Sequence, residues 1–421
     1  MRPDFKRGKG FQRQQQREEK MTNRWFAVFV SVLVLGIGLV PLHVQAQRSL
    51  NNMEQLGKAL FNDHSLSNPE GQACSSCHGK QTGFTGPNSI INLETAVYPG
   101  AVNTRFGNRK PPAAAYAGDV PILDYNPAQS EWTGGLFWDG RATGWTLGDP
   151  VAEQALGPFL NPLEQNNANS LAVCEAVESA PYRRLFEMVW GPGSLDCDSD
   201  VDGTYTRIGF SISAFEHSAE VNPYSSKYDA YLRGSASLSA VESQGLMLFE
   251  GAAGCADCHS VTPSETNPHP LFTDFAYANL GVPRNENNPF YTMPAEWNPD
   301  GADWVDPGLG ATLKNLGYGP EVYEPEWGKH RTPTLRNVDR RPGRGGFVKA
   351  YGHNGYFKSL AQVVHFYNTR DVPGAGWMGV PWPDAEMPQN VSTQLGDLGL
   401  TLQEEFALVA FLKTLSDGYI P

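Results

Sequence analysis

The sequence is poor in charge, and poorest in basic charge: only 18% of its 421 residues are Asp, Glu, Lys or Arg, with 32 basic against 45 acidic. Eight of the basic residues fall within residues 1–24. Setting aside residues 1–46, with those eight basic and three acidic side chains, leaves 24 basic and 42 acidic residues, a net charge near −18. Such a chain cannot neutralise a phosphate backbone, so nucleic acid is excluded as a partner, whereas a positively charged redox protein is compatible. Long apolar runs are also scarce. Beyond Trp25–Pro41 no segment is apolar enough to span a bilayer. Strand signals are sparse, and His and Met are missing altogether between Gly79 and Glu187.

The apolar run follows a basic leader and precedes Val44-Gln45-Ala46, a small-residue cleavage site. Together these describe a secretory signal peptide over residues 1–46 and a periplasmic product. A membrane enters only if that segment stays uncleaved, since 17 apolar residues sit at the lower limit of a span. The rest is too long for one ordinary core, so two domains or a duplicated unit are expected. Repetition is visible. Gly57-Lys-Ala-Leu-Phe61 answers Gly245-Leu-Met-Leu-Phe249, Arg109-Lys-Pro-Pro-Ala113 answers Arg331-Thr-Pro-Thr-Leu335, and Trp138-Asp-Gly140 answers His353-Asn-Gly355. Three matches in one order argue for related halves, 47–235 and 236–421.

Apolar spacing predicts helices over Met53–Phe61, Ser170–Trp190, Arg207–Glu216, Ala240–Phe249, Ser359–Tyr367 and Gln403–Leu415. The last should bury Phe406, Val409, Ala410 and Leu412 on one face. Thr262–Gly328, rich in Pro, Asn and Gly, has no period and reads as a long loop with a covering or functional role. The fold class is mainly α, with long ordered loops.

Six cysteines carry the chemistry. Four lie in Cys74-Ser-Ser-Cys77-His78 and Cys255-Ala-Asp-Cys258-His259. In such motifs the thiols bond to the haem vinyl groups and the adjacent His ligates iron. A redox dithiol would need a βαβ setting, and a zinc site a second Cys pair at finger spacing; neither is present. Two covalently bound c-type haems are therefore expected, with His78 and His259 as proximal ligands. Cys174 and Cys197 remain, an even pair that suggests a disulfide in an exported chain. The gap in His and Met after the first motif leaves that iron either open to a small molecule or ligated from the other half.

Leu60-Phe61-Asn-Asp-His-Ser-Leu-Ser67, Phe137-Trp-Asp-Gly-Arg-Ala142, Gln154-Ala-Leu-Gly-Pro158 with Glu164, His330-Arg-Thr-Pro-Thr-Leu-Arg-Asn-Val338 and Tyr351-Gly-His-Asn-Gly355 occur in this order. From Met53 to its end the chain resembles the bacterial di-haem cytochrome c peroxidases. The resemblance implies two related cytochrome c-like haem domains. Hydrogen peroxide would react at the haem of His78, with Gln154 and Glu164 as the distal pair and Pro158 beside them. Trp138 would relay electrons toward the haem of His259. A carboxylate such as Glu164 suits the chemistry, because cleaving an O–O bond requires a proton to be moved between its oxygens.

The sequence departs from that family twice. The stretch that usually supplies a displaceable His to the first haem has none, which implies a site open without reductive activation. The position of the usual Met ligand of the second haem is Tyr367, with His365 and Met387 as alternatives. Both departures resemble the MauG branch of the family, whose second haem has a Tyr ligand. A phenolate is a hard donor that favours oxidised iron. The implied activity is therefore use of peroxide to form high-valent iron and oxidation of a protein donor. That donor would be a partner oxidised on Trp or Tyr, or a small cytochrome as in a conventional peroxidase. A non-catalytic electron-transfer protein, with both irons saturated, is the remaining alternative. The family also places calcium between its domains, but its Asn ligand here reads as Lys110, an unfavourable neighbour for a cation; Asn108 could serve a shifted ion.

Overall fold

In this computed structural model the described residues are 49–264, 266–343 and 345–420, so the signal-peptide segment lies outside them. The first helix, α1 (Asn52–Phe61), starts with a reciprocal cap: Asn51 Oδ1 accepts from the Glu54 N–H and Glu54 Oε2 from the Asn51 N–H. It is followed by α2 (Cys74–Cys77), α3 (Ser89–Glu94), a hairpin of β1 (Asp124–Asn126) and β2 (Glu131–Thr133), α4 (Pro150–Leu160), α5 (Ser170–Ser179), α6 (Arg183–Trp190) and α7 (Val201–Glu216). α8 (Lys227–Leu232) closes the first half, and the second holds α9 (Ala240–Glu250), α10 (Gly308–Asn315), α11 (Pro320–Tyr323), α12 (Leu360–Thr369) and α13 (Leu402–Lys413). A two-residue ladder, β3 (Tyr277–Ala278) with β4 (His330–Arg331), completes it. Among the described residues no helix is long and apolar enough to cross a membrane.

The two halves are built on one plan. α1 crosses α7 at Gly57, where a Cβ would lie 1.8 Å from the Ser211 carbonyl oxygen and 2.9 Å from Phe215 Cβ. α9, capped in the same reciprocal way by Ser239 and Glu242, crosses α13 at Gly245, where a Cβ would lie 2.0 Å from the Ala407 oxygen and 2.8 Å from Phe411 Cβ. Only glycine lets the paired backbones approach so closely. Each crossing seeds a core. Leu56, Leu60, Phe61, Ile208, Ile212 and Phe215 fill the first; Phe249, Phe272, Phe357, Phe366, Leu408 and Phe411 fill the second. Both lie within one compact unit.

Three expectations from the sequence need correction. Ser170–Trp190 is two helices, because Pro181 forces Ala180 into extended backbone (φ −75°, ψ 150°). On α13 the crossing at Ala407 turns Ala407, Leu408, Phe411 and Leu412 inward, leaving Phe406 60% exposed. The stretch 262–328 contains α10 and α11, and buried Asn side chains order much of the remainder. Asn285 Nδ2 donates to the Thr95 and Asn354 oxygens, Asn288 Nδ2 to Asn108 O, and Asn298 Nδ2 to the Phe290 and Gly301 oxygens. Side-chain amides there take over the satisfaction of backbone groups that a ladder would otherwise provide. The pairing of Cys174 with Cys197 is present, with Cα atoms 5.7 Å apart, tying α5 to the loop before α7.

Candidate functional site

The turn α2 is long enough to place Cys74 and Cys77, three residues apart, on the same face. It ends at His78, whose backbone N–H donates to Cys74 O at 2.9 Å. His78 Nδ1 donates to Phe84 O at 3.1 Å, which fixes the ring and leaves Nε2 for a metal. The second motif repeats this arrangement. Cys255–Asp257 form a short 3₁₀ turn, the His259 N–H donates to Cys255 O at 2.9 Å, and His259 Nδ1 donates to Phe272 O at 2.9 Å. Burial pushes His259 down to about 4, so its imidazole stays neutral, the form that binds iron. All four motif cysteines are free of disulfides. Paired thiols beside a ring with one nitrogen satisfied and the other available are what covalent haem attachment requires.

The first motif opens on a cavity whose unfilled space is partly continuous with solvent. Cys74, Cys77 and His78 line it together with Gln154, Pro158, Glu164 and Trp138, so the sequence-predicted residues of this site converge. Among its lining residues His78 is the only His, and there is no Met. Gln154 projects from α4, a helix the apolar pattern did not reveal, because Pro158 sits inside it. Pro158 has no N–H to return to the Gln154 carbonyl one turn back, so that helical bond is missing. Past its end, Asn161 Nδ2 donates to Glu164 Oε1 at 2.8 Å. Burial raises the Glu164 carboxyl above the usual carboxylate range, opposed by the Arg141 charge.

Arg141, Gln165 and Glu216 are polar lining residues without a role assigned from the sequence. Arg141 stood in the Phe137–Ala142 segment, and its guanidinium lies 3.6 Å from the Phe137 ring centroid. Glu216 ends α7 and is pushed up to about 8 by burial and by Asp149. Nothing in its local pattern distinguishes it from any other helix-terminal Glu.

Trp138 is buried where the two halves meet. Its Nε1 donates to Lys110 O at 2.8 Å, and its carbonyl accepts from the Arg331 N–H at 2.9 Å. Beside it Arg109 is held between Asp139 and Asp306, with two 2.6 Å bonds to the latter. At the second motif, Tyr367 lies on α12. Burial and the neighbouring Cys255 and Cys258 raise its phenol. Among the described residues no hydrogen bond to the Tyr367 hydroxyl is found. His365 is differently placed: Nδ1 faces Glu405 at 2.9 and 3.1 Å, and Nε2 faces Ala375 O at 2.9 Å. Both ring nitrogens meet acceptors, so neither offers a lone pair to iron. Met387 packs its side chain beside Gly328.

A profile described as di-haem cytochrome c peroxidase matches residues 51–237. The chain is 33% identical to the methylamine utilization protein MauG of Paracoccus denitrificans over 382 residues, covering 89% of this chain and 90% of that one. It is 30% identical to the cytochrome c551 peroxidase of Nitrosomonas europaea over 340 residues, covering 80% and 79%. Among solved structures, the diheme peroxidase BthA from Burkholderia thailandensis superposes with a TM-score of 0.72 at 31% identity, covering 88% and 87%.

Proposed function

Because the chain belongs to the di-haem cytochrome c peroxidase/MauG family, an oxidoreductase family that carries two c-type haems and acts on peroxide, we propose that it is a periplasmic enzyme of the MauG-like kind. It would oxidise a partner protein at Trp or Tyr with equivalents drawn from hydrogen peroxide. The observation that carries this reading is the first cavity. Cys74, Cys77 and His78 line it together with Gln154, Pro158 and Glu164, and no second His and no Met lines it. The domains proposed are 47–235 for the peroxide-reactive half and 236–421 for the electron-transferring half.

When bound there, haem supplies an iron able to accept the two oxidising equivalents of peroxide. The protein's residues then do the rest. Gln154 orients peroxide through its side-chain amide. Glu164, held by Asn161, takes the proton from one peroxide oxygen and returns it to the other, so that water leaves. Trp138, with its N–H fixed on Lys110 O and its carbonyl on the Arg331 N–H, would be the residue through which equivalents pass between the halves. Tyr367 would supply a hard oxygen ligand to the second haem, since His365 is committed to Glu405 and Ala375. The Tyr ligand favours holding oxidising power for a protein donor over rapid disposal of peroxide by a small cytochrome.

The test is stoichiometric peroxide added to the purified diferric protein, followed by near-infrared absorption and EPR. A resting high-spin component and a new charge-resonance band support the MauG-like reading. A purely low-spin resting spectrum would remove the open site. Ordinary turnover with a small cytochrome and no near-infrared band would leave a conventional peroxidase.

A further inference from the structure

Two lysines are buried at the seam between the halves, Lys110 at 7% exposure and Lys349 at 5%. Neither forms an ion pair among the described residues. Lys349 Nζ instead donates to three backbone carbonyls: Thr82 O at 2.9 Å, Asn337 O at 2.6 Å and Arg340 O at 3.3 Å. Three acceptors around one nitrogen need three N–H groups, which an ammonium has and a neutral amine lacks. Such a cage of inward-facing carbonyls is chemically the kind that holds a hard cation. Lys110 Nζ donates to Thr85 Oγ1 at 3.0 Å and to Pro111 O at 2.9 Å. Its ammonium is near enough to Lys349 to push that residue's pKa down further, after burial.

We propose that Lys349, with Lys110 beside it, is a built-in cation that replaces the interdomain calcium of related enzymes, so that this protein needs no metal other than iron. The residues present do not suit calcium. The position of the usual Asn ligand carries the Lys110 side chain, and the carbonyls at this junction already hold the Lys349 ammonium. A divalent ion added there would meet two lysine side chains that already occupy its oxygen donors, with no carboxylate among its ligands.

The placement also gives the lysines a positioning role. Thr82 and Thr85 bracket Phe84, whose carbonyl holds His78 Nδ1. Lys349 grips one end of that turn and Lys110 the other, and the Lys110 carbonyl holds Trp138 Nε1. Asn337 and Arg340 belong to the second half. The ammonium of Lys349 thus fastens the turn behind the first haem ligand to the opposite half of the molecule.

The experiment is elemental analysis of the purified holoenzyme, with its ferric EPR spectrum and melting midpoint recorded before and after exhaustive EGTA treatment. The expected result is calcium far below one per chain, and a high-spin signal and midpoint untouched by EGTA. Stoichiometric calcium, or loss of the high-spin signal on chelation that added calcium restores, overturns the proposal. Lys349→Met should lower the midpoint and shift the high-spin signal of the His78 haem while leaving the second haem's signal in place; an unshifted signal overturns the positioning role. Should Lys349→Met fail to fold, Lys349→Gln, which keeps two donors without the charge, gives the same readout. None of these measurements uses peroxide, so a failure of the peroxide reaction in calcium-free protein with unchanged spectra would count against the proposed function and not against this inference.

Discussion

Glu164→Gln isolates the proton chemistry of the first cavity. The amide matches the carboxylate in size, and its oxygen still accepts from Asn161 Nδ2, the one side-chain bond that orients Glu164. Packing and geometry should therefore survive while the group loses its ability to carry a proton. Loss of a positioned general acid–base costs about 10²–10⁴-fold in rate, or ~2.7–5.4 kcal/mol of barrier at 1.36 kcal/mol per tenfold. The assay is stopped-flow mixing of diferric enzyme with peroxide, followed in the Soret region across pH. In the wild type the carboxylate is the form that accepts a proton, and burial raises its pKa. The rate should consequently fall as pH drops through that raised value, and the variant should lose this limb along with its speed. An unchanged rate, or the same acid limb in the variant, would refute the role of Glu164.

Tyr367→His should turn the second haem into a bis-His low-spin centre, seen by EPR; an unchanged spectrum would mean that Tyr367 is not the ligand. Gly57→Ala and Gly245→Ala each place a Cβ about 2 Å from a carbonyl oxygen across a helix crossing. Each should destabilise by about 1–3 kcal/mol in denaturant unfolding, and an effect near zero would contradict the close approach. Opening the disulfide by Cys174→Ser with Cys197→Ser frees a loop with a sequence separation of 23 and should cost about 3 kcal/mol, read in the same assay. Asp306→Asn strands the buried Arg109. Burial alone would raise Asp306, but Arg109 holds it well below the carboxylate range. The wild-type pair thus stabilises above the unfolded-state carboxyl pKa, near 3.9, and loses that contribution as pH falls below it. The variant should be weaker by roughly 3–5 kcal/mol at neutral pH, with the difference shrinking in acid.

The sequence disclosed those parts of the molecule whose chemistry is local. A Cys-x-x-Cys-His motif is a single turn, so Cys74 to His78 and Cys255 to His259 could be recognised without knowing what surrounds them. The repeat was readable for a similar reason: the Gly in Gly57-Lys-Ala-Leu-Phe61 and in Gly245-Leu-Met-Leu-Phe249 is dictated by one helix crossing made twice. What escaped was whatever depends on the far side of a contact. α4 carries Gln154, but Pro158 and the small residues around it blur its period. Phe406 looks like a core residue until the crossing at Ala407 fixes which way α13 faces. Glu216 and Arg141 become site residues only because α7 and the Phe137 segment end at the same cavity. Lys110 showed itself by its unexpected chemistry, whereas Lys349, more than two hundred residues away, gave no sign of the carbonyls it would meet.

The repeated plan also explains why two nearly identical haem turns can do different work. Each half supplies the same proximal device, a His whose Nδ1 is spent on a backbone carbonyl, Phe84 O in one case and Phe272 O in the other. Duplication fixes that device and leaves the opposite wall free to diverge. In the first half α4 and the turn after it line the cavity with an amide, a proline and a carboxylate, and no His or Met besides His78 lines it. In the second, α12 packs on the core of its own half and presents a phenol, while its other candidate, His365, is committed to Glu405 and Ala375. On the proposed reading, reactivity at one iron and storage at the other need no difference in how the haems are attached. They would follow from which helix covers each, and Trp138, bonded to Lys110 in one half and to Arg331 in the other, is the residue proposed to link them.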